Sequence, residues 1–191
     1  SEEPLVFQAL CRIPPGRYLL DASFQDTRER IMGSVRDVID VPQFDPAGLR
    51  ISSLILSTKL DKLEEGAAPV DQAEAPFMFG NYRGVPRTSQ VFRPAETLRV
   101  FCAVYGAGLD TDGRVHLDVT YQFYVQDGGS WLPVGAPFTL QDETDAAQAW
   151  AVPLSGWPAG RYRVELLATD RLSGSAVVRG ALFEVGPGTR R

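Results

Sequence analysis

The chain has 191 residues and a formal net charge of −5, with 19 Lys and Arg against 24 Asp and Glu and a single histidine. That length supports one good hydrophobic core, or one domain with part of another. The longest Lys/Arg run is Arg190-Arg191, which argues against nucleic acid as a partner, and no apolar run approaches the ~20 residues that cross a bilayer. The start at Ser1, with no basic segment leading into an apolar one, reads as a mature or excised segment.

In chain order, Leu5 to Arg12 reads as a short strand ended by Pro14-Pro15-Gly16, and two strands follow at about 17–26 and 33–41. Pro42, Pro46 and Gly48 punctuate a boundary. Leu49 to Leu60 has a helical alternative, but its β-branched content favours a strand. Asp61 to Pro76 is acidic, Ala-rich and broken by Pro69, and is expected to be an exposed, mobile loop. Phe77-Met78-Phe79 restores apolar character, Asn81 to Gly84 reads as a turn, and Val85 to Phe92 as a modest strand. Thr97 to Tyr105 is apolar on both faces, as a central strand covered on both sides would be.

Arg114 to Gln126 carries the cleanest alternation. Val115, Leu117, Val119, Tyr121, Phe123 and Val125 fall on one face; His116, Asp118, Thr120, Gln122, Tyr124 and Gln126 fall on the other. Asp127 to Ser130 turns it into a strand from Trp131 to Leu140, and Gln148 to Leu154 forms the next.

The last hairpin repeats the first without a gap. A shift of 144 positions places Pro14, Gly16, Arg17, Tyr18, Asp26 and Val41 on Pro158, Gly160, Arg161, Tyr162, Asp170 and Val185. This is the mark of an internal repeat. Gly16 and Gly160 serve the Pro-x-Gly turns, Tyr18 and Tyr162 read as corner residues whose hydroxyls bond nearby backbone, and Asp26 and Asp170 open the hairpin turns; all six are structural. The expected fold is all-β, an antiparallel immunoglobulin- or fibronectin-like β-sandwich with a partial second copy at the N-terminus. Residues 1–45 are expected to be the last three strands of a truncated module, 46–186 a complete module, and 187–191 a flexible tail.

The run Leu49 to Leu56, the segment PFMFGNYRGVPRTSQVFRPAETLRVFCAVYG and the hairpin WPAGRYRVELLATDRLSG together resemble the C-terminal β-rich region of large secreted bacterial proteins. These are chiefly acidobacterial and belong to the von Willebrand factor A-related and GWxTD-domain groups. The resemblance spans roughly residues 46 to 185 and implies an exported sandwich module of accessory or scaffold type. The chain has neither a GWxTD motif nor the Asp-x-Ser-x-Ser run that holds the metal of von Willebrand A domains.

Catalytic and ligand chemistry is sparse. Asp110 and Asp112 open an Asp-x-Asp-Gly stretch with the start of a calcium loop, but Val115, Leu117 and Val119 enter a strand where further ligands should stand, and a hairpin turn explains the pattern as well. His116 is alone and outward-facing, which disfavours a metal site or a Ser/His/Asp triad. Cys11 and Cys102 read as buried free thiols, with an inter-module disulfide as the alternative. Trp150 and Trp157 align with Val6 and Ile13 and read as core, leaving Tyr82, Tyr124 and Trp131 as a candidate sugar-stacking platform. No cofactor is expected. The functional expectation is a non-enzymatic structural module of an exported or envelope-associated assembly, extracytoplasmic in location, meeting other protein chains through sheet edges of its N-terminal part; a carbohydrate-binding module is the alternative.

Overall fold

The computed structural model describes residues 11–26, 30–43, 48–62, 78–79, 82–84, 87 and 89–187; the side chains of residues 60–62, 78–79 and 82 lie outside the description. The protein is all-β, with no helix among the described residues, and none is long and apolar enough to span a membrane. Residues Leu10–Pro46 form one compact unit, and the chain from Ala47 onward belongs to another.

The first unit holds a two-stranded antiparallel sheet of β1 (Gly16–Gln25) and β2 (Met32–Val41). The second is a β-sandwich. Short strands open it: β3 (Arg50–Ile51), β4 (Ile55–Ser57), β5 (Leu60–Lys62), β6 (Met78–Phe79), β7 (Tyr82–Gly84) and β8 (Val91–Phe92). Longer ones follow: β9 (Thr97–Tyr105), β10 (Leu117–Asp127), β11 (Ser130–Glu143), β12 (Ala147–Pro153), β13 (Gly160–Asp170) and β14 (Ala176–Val185). One sheet runs β11-β10-β13-β14-β8, with β8 parallel to β14; the other runs β12-β9-β3, with β4 also on β9; β5-β7-β6 form a small third sheet.

Period-two alternation explains the core. The inward residues of β10 and β13, Leu117, Val119, Tyr121, Phe123, Tyr162, Val164, Leu166 and Ala168, meet Leu98, Val100, Cys102 and Val104 of β9, all of them buried. Burying one such large apolar side chain contributes roughly 1.5–3 kcal/mol. Trp150 and Trp157 pack half-buried against this core: Trp150 lies 4.8 Å from the Tyr121 ring and Trp157 5.0 Å from Tyr162. The other face of β9 is closed where the Phe101 ring lies directly on Gly84, leaving no room there for a Cβ. Phe101 is therefore buried too, but Tyr105 on the same face is 50% exposed, so the expected cover on both sides is only partial.

Several expectations are corrected. Residues 11–14 are not in a strand, and the rest of the expected Leu5 to Arg12 strand lies outside the described residues. Leu49 to Leu60 is three short strands, because β3 and β4 both pair with β9 but at separate registers, Arg50↔Tyr105 and Ile55↔Phe101. Tyr82–Gly84 of the expected Asn81 to Gly84 turn is instead strand β7, the centre of the small sheet, and among the described residues of the expected Val85 to Phe92 strand only Val91–Phe92 is in a strand. Asp61 and Lys62 belong to β5; the remaining residues of the expected mobile loop, 63–76, and residues 188–191 of the expected tail lie outside the described residues.

Candidate protein-interaction site

The hairpins β1–β2 and β13–β14 pair in the same register throughout. Gly16↔Val41, Tyr18↔Ile39 and Gln25↔Met32 become Gly160↔Val185, Tyr162↔Phe183 and Thr169↔Ala176 under the same 144-residue shift, as do the seven pairs between them. Local interactions repeat as well. The Tyr18 hydroxyl donates to the Pro14 carbonyl at 2.8 Å and the Tyr162 hydroxyl to the Pro158 carbonyl at 2.8 Å. The Asp26 N–H donates to Ile31 O at 2.8 Å and the Asp170 N–H to Ser175 O at 2.8 Å. Arg17 faces Asp40 and Arg161 faces Glu184, each pair at 3.6 Å.

The environments differ. Tyr162, Val164 and Leu166 are at most 1% exposed, whereas Leu20 is 45%, Phe24 62%, Val35 58% and Ile39 39% exposed. Directly opposite residues of an antiparallel pair share a face, so Tyr18, Leu20, Ala22 and Phe24 join Val35 and Ile39 in a largely apolar surface that Asp37, opposite Leu20, interrupts. The Phe24 ring lies across Gly33, where a Cβ would collide with it. On the reverse face Arg36 grips Asp21 through Nη2 at 2.6 Å and Nε at 3.1 Å. An exposed pair of this kind is worth only about 0–1 kcal/mol, so it orients the hairpin more than it stabilises it.

A polar cluster lies at one end of the sandwich. Asp110 accepts from the Asp112 N–H at 2.9 Å and the Arg114 N–H at 2.8 Å, closing the turn before β10. His116 then bridges two carboxylates, Nε2 to Asp110 at 2.9 Å and Nδ1 to Asp142 at 2.7 Å, while Arg171 approaches Asp142 at 3.4 Å and Asp118 at 3.7 Å. The Asp110 and Asp142 hydrogen bonds hold the imidazole pKa above its ordinary value. The Arg114 N–H and the His116 ring hold Asp110 below the usual carboxylate range, and the His116 ring does the same for Asp142. His116 and Arg171 thus partly offset the three carboxylates Asp110, Asp118 and Asp142, and among the described residues no group of three or more His, Cys, Asp and Glu could hold a metal ion. Sequence reading placed His116 outward but missed Asp142, because register shifts in β10–β11 hide which residue of β11 faces it.

Asp170 is buried at the β13–β14 turn and accepts from the Gly108 N–H at 2.9 Å, the Leu172 N–H at 3.0 Å and Ser173 Oγ at 2.6 Å. Burial raises its pKa, but hydrogen bonds from Ser173, Gly108 and Leu172 outweigh that and leave it lowered. On the outer face of the same sheet, the Arg163 guanidinium sits 4.8 Å from the Tyr124 ring centroid and 5.1 Å from that of Trp131, joining two of the three platform residues; the Tyr82 side chain lies outside the description. Arg163 was not singled out in sequence, although its position on the polar face of its strand is legible there.

Both cysteines are free: Cys102 is buried, with burial pushing its thiol up to about 12, but Cys11 is exposed, against the expectation of two buried thiols. Cys11 precedes β1 in a stretch without sheet pairing, so no strand face buries it. No family model matches the chain, and no curated protein does.

Proposed function

We propose that the chain is a non-enzymatic structural module of an exported or envelope-associated assembly, extracytoplasmic in location, which meets other protein chains through its N-terminal hairpin. The carrying observation is the register-matched pair of hairpins, one with its apolar face forming half of a core and the other with that face exposed. A two-stranded sheet is marginal alone, and an exposed apolar face with free edges is a surface that recruits another. The strand order supports an immunoglobulin-like reading in which β9 and β12 oppose β10, β13 and β14, with Tyr162 as the corner tyrosine. The matched register supports reading β1–β2 as part of a second such module. The resemblance to sandwich regions of secreted bacterial proteins agrees with both. The test is the mass of the native particle carrying this chain: fixed companions are expected, and removal of residues 10–46 abolishes their association while the sandwich keeps its thermal transition. A lone chain of unchanged mass overturns the proposal.

A carbohydrate-binding module is the second reading, favoured by Tyr124 and Trp131 being gathered around Arg163 on the outer face of the sheet, since aromatic rings beside a hydrogen-bond donor suit a sugar ring. In that case Trp131→Ala removes retention on immobilised glycans, and retention unchanged by that substitution overturns it.

A further inference from the structure

We infer that β1 is a strand acceptor: the partner adds one extended, amphipathic segment antiparallel along the free edge of β1, in the register that β10 takes on β13. This rests on the interaction-module reading above and identifies the kind of partner. In the matched hairpin, β13 is paired on its outer side over nine residue pairs, from Leu117↔Asp170 to Val125↔Tyr162, whereas β14 has only two pairs with β8. The edge equivalent to the nine-pair side is that of β1, and among the described residues β1 pairs only with β2. A long edge gives many main-chain hydrogen bonds, and main-chain bonds supply most of the affinity in strand addition.

The long edge strands of the two sandwich sheets are guarded. The edge strand β11 carries Pro133 and Pro137 and two register irregularities, and the edge strand β12 ends at Pro153, each of which blocks continued pairing. The sequence of β1, GRYLLDASFQ, contains no proline, and its register with β2 is unbroken. The outer edge of β2 is equally long and proline-free, so the choice of β1 rests on its equivalence to the nine-pair side of β13.

The same register specifies the chemistry of the donor. Residues of the donor opposite Tyr18, Leu20, Ala22 and Phe24 take the places of Val125, Phe123, Tyr121 and Val119, and so must be apolar, with polar residues between them. Ala22 is small, and the Phe24 ring leans across Gly33 toward β2, away from the free edge. Both positions therefore leave room for large apolar side chains on the donor. A folded copy of this chain cannot supply its own β10, which is held between β11 and β13. The donor is an exposed strand or unpaired extended segment of another polypeptide.

The probe is a synthetic peptide of residues 116–126 of this chain, HLDVTYQFYVQ, carrying Thr120→Cys, mixed with the full chain in a Cys11→Ser background. Thr120 pairs with Leu167, whose equivalent is Ser23, so Ser23→Cys is expected to form the mixed disulfide fastest, ahead of Gln25→Cys and of Ser34→Cys across the hairpin on β2. Leu20→Lys or Phe24→Lys weakens peptide binding by about tenfold or more, since each places a charge against an apolar donor residue, while Val38→Lys on the reverse face leaves it within about twofold. Faster cross-linking at Ser34→Cys, or equal rates at all three positions, overturns the inference. Should deletion of residues 10–46 abolish the native assembly while Ser23→Cys shows no preference, the strand-acceptor inference fails and the interaction module stands. Should assembly survive that deletion, both fail.

Discussion

Hairpins β1–β2 and β13–β14 have the same pairing register, the same tyrosine-to-carbonyl hydrogen bond and the same flanking ion pair, yet one is a core element and the other a surface. The difference teaches that a hairpin's internal geometry does not depend on burial. Turn chemistry and cross-strand pairing set the register. The stability of the element comes from what its apolar face rests on. In β13–β14 that support is β9 and its neighbours; in β1–β2 the corresponding side chains stay exposed.

The strongest way to break this comparison is to truncate the same face in both hairpins. Leu166→Ala should destabilise the sandwich by about 2–5 kcal/mol, as a fully buried leucine does when a cavity replaces it. Leu20→Ala in β1 should change the stability of the isolated chain by less than about 0.5 kcal/mol, since the side chain is already hydrated. Chemical denaturation monitored by tryptophan fluorescence measures the first and backbone amide exchange within 16–41 the second. A large cost at Leu20 would mean that its face is covered in solution, and the contrast would collapse.

A smaller effect is expected at the turns. Asp170→Ala leaves the Gly108 and Leu172 N–H groups and Ser173 Oγ without their acceptor, at a cost of about 1–3 kcal/mol, read as a lower thermal midpoint. Asp26→Ala, at an exposed position, should cost markedly less. Equal losses at the two positions would show that the first turn is anchored as firmly as the second.

The smallest effect is a pH dependence confined to one hairpin. His116 has a folded-state pKa raised by Asp110 and Asp142, so its contribution is complete below the ordinary imidazole value of about 6.5 and is lost as pH rises through the folded value. Asp110 and Asp142 have lowered values, so theirs holds above the usual carboxylate range and disappears as pH falls through the folded values. The Arg171 N–H, which donates to the His116 carbonyl at 2.9 Å, reports on this junction. Its exchange protection, corrected for intrinsic base catalysis, should fall as pH rises above about 6.5, while that of the Asp26 N–H on the first hairpin does not. Parallel behaviour of the two amides, or no change after His116→Gln, would remove the histidine bridge as the cause.

Much of the fold was legible because the governing signals are local. The alternation from Leu117 to Val125 gave the inward face of β10, although the strand begins at Leu117 and not at the expected Arg114, and Thr97 to Tyr105 coincides with β9. The segment from Leu49 to Gly84 was harder to read. Its strands among the described residues are two or three residues long, too short for a period to show, and Tyr82–Gly84 becomes a strand because β5 and β6 lie on either side of it. The polar cluster was half visible: Asp110 and His116 are neighbours in sequence, but Asp142 reaches the ring only through a bulged register, and Arg171 comes from a turn on another strand.

The sequence by itself determined the all-β class, the long strands and the common register of the two hairpins, because alternation, turn residues and a constant offset are properties of neighbouring positions. Only the tertiary structure decided which hairpin hides its apolar face, that Arg163 lies between Tyr124 and Trp131, and that His116 joins two carboxylates. Those outcomes depend on a second sheet and on cross-strand register, and the energy that selects them comes from surfaces that meet only when distant segments pack.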